Sequence, residues 1–537
     1  MKKFTILIFG WALAINCFIF PTLDLDTFHD GFIYPMALID SNGGNPNKDY
    51  FSLYGPIVPS IHGLWLQLFG ENVWRLRLHG ATIISIISLL LYLVLRTKLD
   101  NSTSILICAS WLVGNPLIVQ PSLPWVDLYT TTILILGMLY IIKHKFHADK
   151  HFFLLGITFS LGIFIKINFV IPIFGIWLVI IFVYGIRSGV LFVTGVLTTI
   201  LTATIIMLMT GSFIDYFKQG IVFPLNMYDE GKSLRGLINV KIILFGVAVM
   251  LLLIAWRRVP HSLKESRVFN LWLPMFLCAA AVFITLFFRK INEPFSALLG
   301  LNPVDAINNL LKNSPYALMY SASFIIWLKG FSSIRNSTIF MNRDSKTLIL
   351  GIAVCSTLQL YPNPEPGHIW YILPIVIAGI FYDNSFNQYK NLDEKLFTKL
   401  LLLPTCLSLV TINLIYVSQE RINHTVEPLR QMKSAPQVVE SVDLTLRKLS
   451  FFTSGKTVQF NCPLGIYSVA GNTYRGSDSQ YVDIIPKYKI PKTDSDLIFE
   501  CDLEKNQISR IERSRRVLFV SPGYGQYGEN ILYSSSE

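Results

Sequence analysis

His79-Gly80-Ala81-Thr82-Ile83-Ile84-Ser85-Ile86-Ile87-Ser88-Leu89-Leu90-Leu91-Tyr92-Leu93-Val94-Leu95-Arg96-Thr97-Lys98 carries no charge from Gly80 to Leu95 and ends on two cations. An α-helix needs roughly 20 mostly apolar residues to cross the hydrocarbon of a bilayer, and Lys or Arg behind such a run marks the cytoplasmic side. The pattern repeats. A first run, Phe4 to Pro21, follows Lys2 and Lys3, and others begin near Ile105, Leu128, Phe152, Phe169, Val190, Val240, Phe269, Pro315, Thr347, Ile369 and Phe397. The expectation is an α-helical polytopic membrane protein with about 13 transmembrane helices. The first run has the layout of a signal peptide, but no small-residue cleavage site follows it, so it is read as a retained anchor.

Short-loop cations set the orientation. With Lys2 and Lys3 inside, every second loop is basic: Arg96 and Lys98; Lys143, Lys145 and Lys150; Arg187; Arg257, Arg258, Lys264 and Arg267; Arg335, Arg343 and Lys346; Lys390 and Lys395. The odd span count then puts the N-terminus in the cytoplasm and the C-terminal region outside, as expected of a bacterial-type inner (plasma) membrane protein.

Composition agrees. Of 537 residues, 52% are hydrophobic, 15% are charged and 13% are aromatic, and the mean hydropathy is +0.50, beyond what a soluble fold hides. The net charge of +11 is spread in small clusters between apolar runs rather than along one stripe, which argues against a nucleic-acid partner. Cys17, Cys108, Cys278, Cys355 and Cys406 lie in apolar runs, whereas Cys462 and Cys501 lie in the polar C-terminal region and are expected to pair if it faces an oxidising compartment. That region, residues 418–537, loses the apolar runs and shows short β-branched stretches at Thr457–Phe460, Tyr481–Ile485, Leu497–Phe499 and Val517–Val520, the pattern of a small external α/β or mostly β domain. Residues 1–417 form the membrane module. The sequon Asn423-His424-Thr425 falls on the outer side.

The chemistry concentrates in the first outer loop, residues 23–77. It opens Asp24-Leu25-Asp26-Thr27-Phe28-His29-Asp30-Gly31-Phe32 and continues Asn47-Lys48-Asp49-Tyr50-Phe51-Ser52-Leu53-Tyr54-Gly55-Pro56. It ends Phe69-Gly70-Glu71-Asn72-Val73-Trp74-Arg75-Leu76-Arg77-Leu78. This order resembles the GT-C superfamily, the multi-pass glycosyltransferases that use lipid-phosphate-linked sugars. The resemblance covers roughly the first hundred residues and recurs more weakly around Lys166 and from Tyr361 to Pro374. The Trp-Trp-Asp signature of the oligosaccharyltransferase branch is absent.

The resemblance implies an inverting transfer from a polyprenyl-phosphate sugar to a glycan, lipid or protein acceptor on the outer face, among membrane lipids. Such a reaction needs a base for the acceptor hydroxyl and donors for the leaving phosphate. Asp30 occupies the position of the base, with Asp26 as the other choice; the alternative is that Asp24, Asp26 and Asp30 cap helices at a wet boundary. His29, Asp49 and Tyr54 are substrate-binding candidates. Asp127, in the short loop Pro124-Trp125-Val126-Asp127, is implied to contact the acceptor or a divalent cation, or else caps its helix. No cofactor is required; a divalent cation on Asp30 and Asp127 is left open. Arg75, Arg77, Lys166 and His368, with Glu365, are candidates to meet the phosphate, Arg75 and Arg77 having headgroup snorkelling as the alternative. The rival reading is a multi-pass transporter or lipid flippase, which would keep ionisable residues near the midplane and show repeated halves. Here carboxylates gather at one face and no repeat is visible.

Overall fold

The structure is a computed structural model and describes residues 2–27, 29–118, 122–144, 150–222, 345–360, 366–382, 420–454, 456, 458–461, 466–467, 496–523 and 528–534. The membrane part is helical. α1 (Lys2–Ala14) continues through a π-helical turn, Ile15–Ile19, and a tight turn, Phe20–Thr22. Two shorter helices, α2 (His29–Ser41) and α3 (Ile57–Phe69), lie in the loop expected to be the first outer one. Then come α4 (Val73–Leu95), α5 (Asn101–Ile118), α6 (Val126–His144), α7 (Lys150–Ser160), α8 (Val170–Tyr184), α9 (Ile186–Thr210) and α10 (Phe213–Tyr216), followed by α11 (Ser345–Ser356) and α12 (Pro366–Tyr382). Among the described residues five helices are long and apolar enough to cross a membrane: Thr5–Thr22, Val73–Leu95, Val126–His144, Ile167–Tyr184 and Ile186–Thr210. The spans expected near Val240, Phe269, Pro315 and Phe397 lie outside the described residues, so the expected total is neither reached nor refused.

Two devices hold the bundle where water cannot help. Asn16 is fully buried and donates its amide to Ala81 O (2.9 Å) and Ser85 Oγ (3.0 Å), tying the first span to α4 by polar contacts of the kind that orient helices in lipid. α7 crosses α9 at a pair of glycines: a Cβ on Gly156 would lie 2.1 Å from Phe192 O, and one on Gly195 would lie 2.2 Å from Phe153 O. Only glycine lets the two backbones come so close. Leu197, Leu201, Ile205 and Met209 of α9 are exposed, as a lipid-facing stripe should be.

Among the described residues the C-terminal region combines helices with a small sheet. β3 (Val458–Asn461), β4 (Leu497–Leu503), β5 (Val517–Ser521) and β6 (Glu529–Ser534) form one sheet in the order β3-β4-β6-β5, with only the β3/β4 pair parallel. α13 (Pro436–Thr453) and α14 (Lys505–Ser514) complete it. A small antiparallel pair, β1 (Ile422–Asn423) and β2 (Lys433–Ser434), precedes them. The expected strand Tyr481–Ile485 lies outside the described residues. Cys501 is disulfide-bonded; Cys462 lies outside the described residues.

The first outer loop does not stand apart from this domain. Leu25, Phe32, Tyr34, Tyr50 and Leu66 share one hydrophobic core with Leu429, Met432, Val442, Leu446 and Phe499. The expected boundary near 417 lies outside the described residues; the loop and the residues after 420 share this core.

Candidate active site

Two polar clusters meet at the end of the bundle capped by the first outer loop. The first is built by the start of α2. Asp26 Oδ1 accepts the backbone N–H of His29 and Asp26 Oδ2 lies 2.6 Å from His29 Nδ1. Because a carboxylate only accepts, Nδ1 carries a hydrogen in either state of the ring, and Nε2 is the atom that accepts a proton when the ring is neutral. Side-chain exposure is 41% for His29 and 22% for Asp26, so this pair reaches solvent. Burial works to raise the Asp26 carboxyl; the hydrogen bond and charge of His29, with a smaller pull from Arg77, outweigh it and hold the group below its ordinary value.

One turn on, Asp30 sits in another environment. It is buried, and Arg77, with no exposed side-chain surface, grips it with both prongs: Nε to Oδ1 at 2.9 Å and Nη2 to Oδ2 at 2.5 Å. Asp30 Oδ2 also accepts the Asp26 N–H, and the remaining Arg77 donors reach Leu23 O and Asp24 O. This geometry bears on two expectations. With both oxygens in a guanidinium fork, the Asp30 carboxylate is shielded from an incoming hydroxyl, so Asp30 fits an anchor better than a base. Arg77 has no exposed side-chain surface and directs Nε, Nη1 and Nη2 at groups of the loop. The capping alternative holds in part, since Asp26 caps α2 while Asp30 returns a bond to the Asp26 N–H.

The second cluster centres on Asp127 in the first turn of α6. Its carboxylate is buried between Lys166 (Nζ to Oδ1, 2.9 Å) and His368 (Nδ1 to Oδ2, 2.5 Å). Asp127 is thus a clamp for two donors that are 15% and 18% exposed. Lys166 sits in a backbone break between α7 and α8, flanked by the tight turns Leu161–Phe164 and Ile167–Phe169. The first loop helps set that break: Gly55 N–H donates to Ile165 O, and a Cβ on Gly55 would fall 1.8 Å from Phe164 O. Only glycine permits that approach, so Tyr54-Gly55-Pro56 seats the lysine as well as presenting Tyr54.

Trp125 joins the clusters. Its ring centroid lies 5.5 Å from His29, 6.3 Å from His368 and 5.7 Å from Tyr54. Beside it opens a small cleft lined by Phe32, Met36, Tyr54, Val58, His62 and Pro124 among others. Sequence reading passed over Trp125, because an indole in an apolar stretch carries no chemical signature; its place in a short outer loop was the available signal. It also missed Gln219, which accepts from Asn47 and the Ser52 N–H and so pins the first loop from the far end of the α9–α10 corner.

The other candidates stand elsewhere. Asp49 is exposed and accepts the Asn45 N–H of its own turn at 2.7 Å. Arg75 folds over the Gly70 turn and lies 5.5 Å from the Trp74 ring. Glu365 lies outside the described residues. Among the described residues no three His, Cys, Asp or Glu side chains are gathered to hold a metal ion. Both oxygens of Asp30 and both of Asp127 already accept hydrogen bonds, so that pair does not fit a divalent cation and no step below runs through one.

No protein-family model and no curated protein matches the chain. Among solved structures it is similar to ArnT from Cupriavidus metallidurans bound to undecaprenyl phosphate (TM-score 0.42, 10% identity, covering 99% of this chain and 97% of that one). The apo form of the same protein gives 0.42 at 11% identity, over 99% and 98%. The archaeal oligosaccharyltransferase AglB from Archaeoglobus fulgidus, in complex with an inhibitory peptide and a dolichol-phosphate, gives 0.39 at 12% identity, covering 92% of this chain but 61% of that one. At such scores these likenesses carry no weight in the assignment of residues, which rests on the geometry above.

Proposed function

We propose that the chain is a membrane glycosyltransferase that moves one sugar from a polyprenyl-phosphate carrier to an acceptor hydroxyl at the outer membrane face, with its N-terminus cytoplasmic and its α/β domain external. One observation carries the reading: a carboxylate-oriented imidazole and a carboxylate-clamped lysine and imidazole flank one tryptophan at one end of the bundle. That arrangement supplies a proton acceptor on one side and anion donors on the other, the two needs of the reaction.

In the proposed step the acceptor oxygen attacks the anomeric carbon and its proton passes to His29 Nε2. The bond from that carbon to the phosphate oxygen breaks, and the electron pair leaves with the lipid phosphate. Lys166 has three donors, one spent on Asp127, and offers the others to the phosphate with His368 beside it. A single displacement inverts the anomeric centre. Asp26 orients the imidazole and stabilises the imidazolium, as a carboxylate does in hydrolytic triads.

The decisive experiment is mass spectrometry of lipid-linked sugars and surface glycans with and without the protein. Loss of one sugar from the surface, with accumulation of its lipid-phosphate donor, is expected. Unchanged pools of both defeat the reading. Lys166→Ala is expected to raise the donor KM by roughly 10- to 100-fold, the size of a charge-assisted hydrogen bond, while the acceptor KM moves little. Equal rises in both, or loss of folded protein with neither changed, would make Lys166 a structural partner of Asp127.

A further inference from the structure

A line of buried hydrogen bonds runs from the outer domain to the backbone one residue before Asp26. Asp443, on α13, accepts from His424 Nδ1 at 2.6 Å; His424 Nε2 lies 3.1 Å from Ser434 Oγ; and Ser434 Oγ accepts the Leu25 N–H at 3.1 Å. Chemistry fixes the two ends of the line. Asp443 only accepts, so His424 carries a hydrogen on Nδ1, and the Leu25 N–H only donates, so the Ser434 oxygen receives it. The second Asp443 oxygen accepts both the N–H and the hydroxyl of Thr425, which absorbs the hydroxyl of the Asn423-His424-Thr425 sequon into the same network.

Serine, histidine and aspartate in this order resemble a nucleophilic triad. The surroundings rule that out. All three are buried, at 2%, 1% and 5% exposure, and the serine oxygen is occupied by a backbone N–H.

The neighbouring residues are held by the same short segment of the outer domain. Asp24 donates its N–H to Lys433 O at 2.7 Å, and its carboxylate takes Arg421 Nε and Nη2 at 2.8 and 2.9 Å. Its φ is +50°, a conformation that non-glycine residues adopt only when the surroundings impose it. So β1 and β2 fix Asp24 and Leu25 from one side, while Arg77 fixes Leu23, Asp24 and Asp30 from the other.

We propose that Asp443, His424 and Ser434 form a positioning relay, through which the outer domain sets the register of the Asp26–His29 pair. The relay touches no substrate. It fixes the Leu25 N–H, and that fixes the φ and ψ from which the Asp26 side chain departs toward His29. The inference rests on the assignment of His29 as the proton acceptor, and its test is chosen to read the relay without the reaction as well as with it.

Ser434→Ala removes the acceptor of the Leu25 N–H without adding bulk, and Ser434→Thr keeps the hydroxyl. In the full-length protein, hydrogen exchange read by mass spectrometry over residues 23–32 is expected to run roughly tenfold faster in Ser434→Ala, the effect of one buried hydrogen bond. Turnover is expected to fall by about tenfold with the KM of both substrates unchanged, and Ser434→Thr is expected to restore both readouts. Exchange unchanged in Ser434→Ala overturns the relay. Faster exchange with intact turnover overturns its positioning role and leaves the assignment of His29 to be decided by the His29 and Asp26 variants. A fall in turnover that tracks a fall in folded protein, and is not restored by threonine, overturns positioning in favour of domain stability.

Discussion

Asp30→Asn is expected to lower the stability of the protein by about 3–5 kcal/mol, the cost of breaking a buried ion pair from one side. The substitution keeps size and hydrogen-bonding reach, so the loss comes from charge. Arg77 has no exposed side-chain surface and would be left in the protein uncompensated, with one neutral amide oxygen and the carbonyls of Leu23 and Asp24 as acceptors. The new amide would also point donors at a fork made of donors. Arg77→Lys is expected to be nearly as damaging, because a point charge cannot span two carboxylate oxygens and two carbonyls at once. Thermal unfolding in detergent, with the folded fraction by size exclusion, measures both. If Asp30→Asn instead unfolds at the normal temperature and loses turnover by 10² or more, the proton acceptor returns to Asp30 and the anchoring role fails.

That pairing shows where sequence reading stops. Asp30 and Arg77 each stood out, one as a carboxylate past the first span and the other as a cation at the start of α4. Nothing in a single sequence says that residues 47 positions apart satisfy each other, so each was given to the substrate instead. Lys166 fared better. A lone cation in an apolar stretch must find a partner, and the pair it makes with Asp127 follows from that need even though the partner itself was not named in advance. The long spans were legible for a simpler reason: an uninterrupted apolar run has few physical alternatives.

The outer domain was read less fully. β3, β4 and β5 fall on the β-branched stretches singled out, but α13 was not foreseen, although Val439, Val442, Leu446 and Leu449 follow a helical period and all are buried. Local β-branched content drew attention away from spacing. The contribution of this domain to the site was not visible at all, because Lys433 and Ser434 take the backbone N–H groups of Asp24 and Leu25 and Arg421 takes the Asp24 carboxylate, contacts across about 400 positions of sequence.

His29→Ala and Asp26→Asn are expected to lower turnover by roughly 10²–10⁴, the usual contribution of a positioned base, while leaving the unfolding temperature close to that of the parent. The His29 side chain is 41% exposed, and truncating it opens no buried cavity. Asp26→Asn is the sharper of the two. Asparagine still accepts the His29 N–H that caps α2, but its amide can donate to Nδ1, which moves the ring hydrogen to Nε2 and abolishes the acceptor. His368→Gln serves as the control, since it removes the other imidazole beside Trp125 and is expected to raise the donor KM while leaving the acceptor KM unchanged. Near-parental turnover in both His29→Ala and Asp26→Asn would remove this pair from the chemistry.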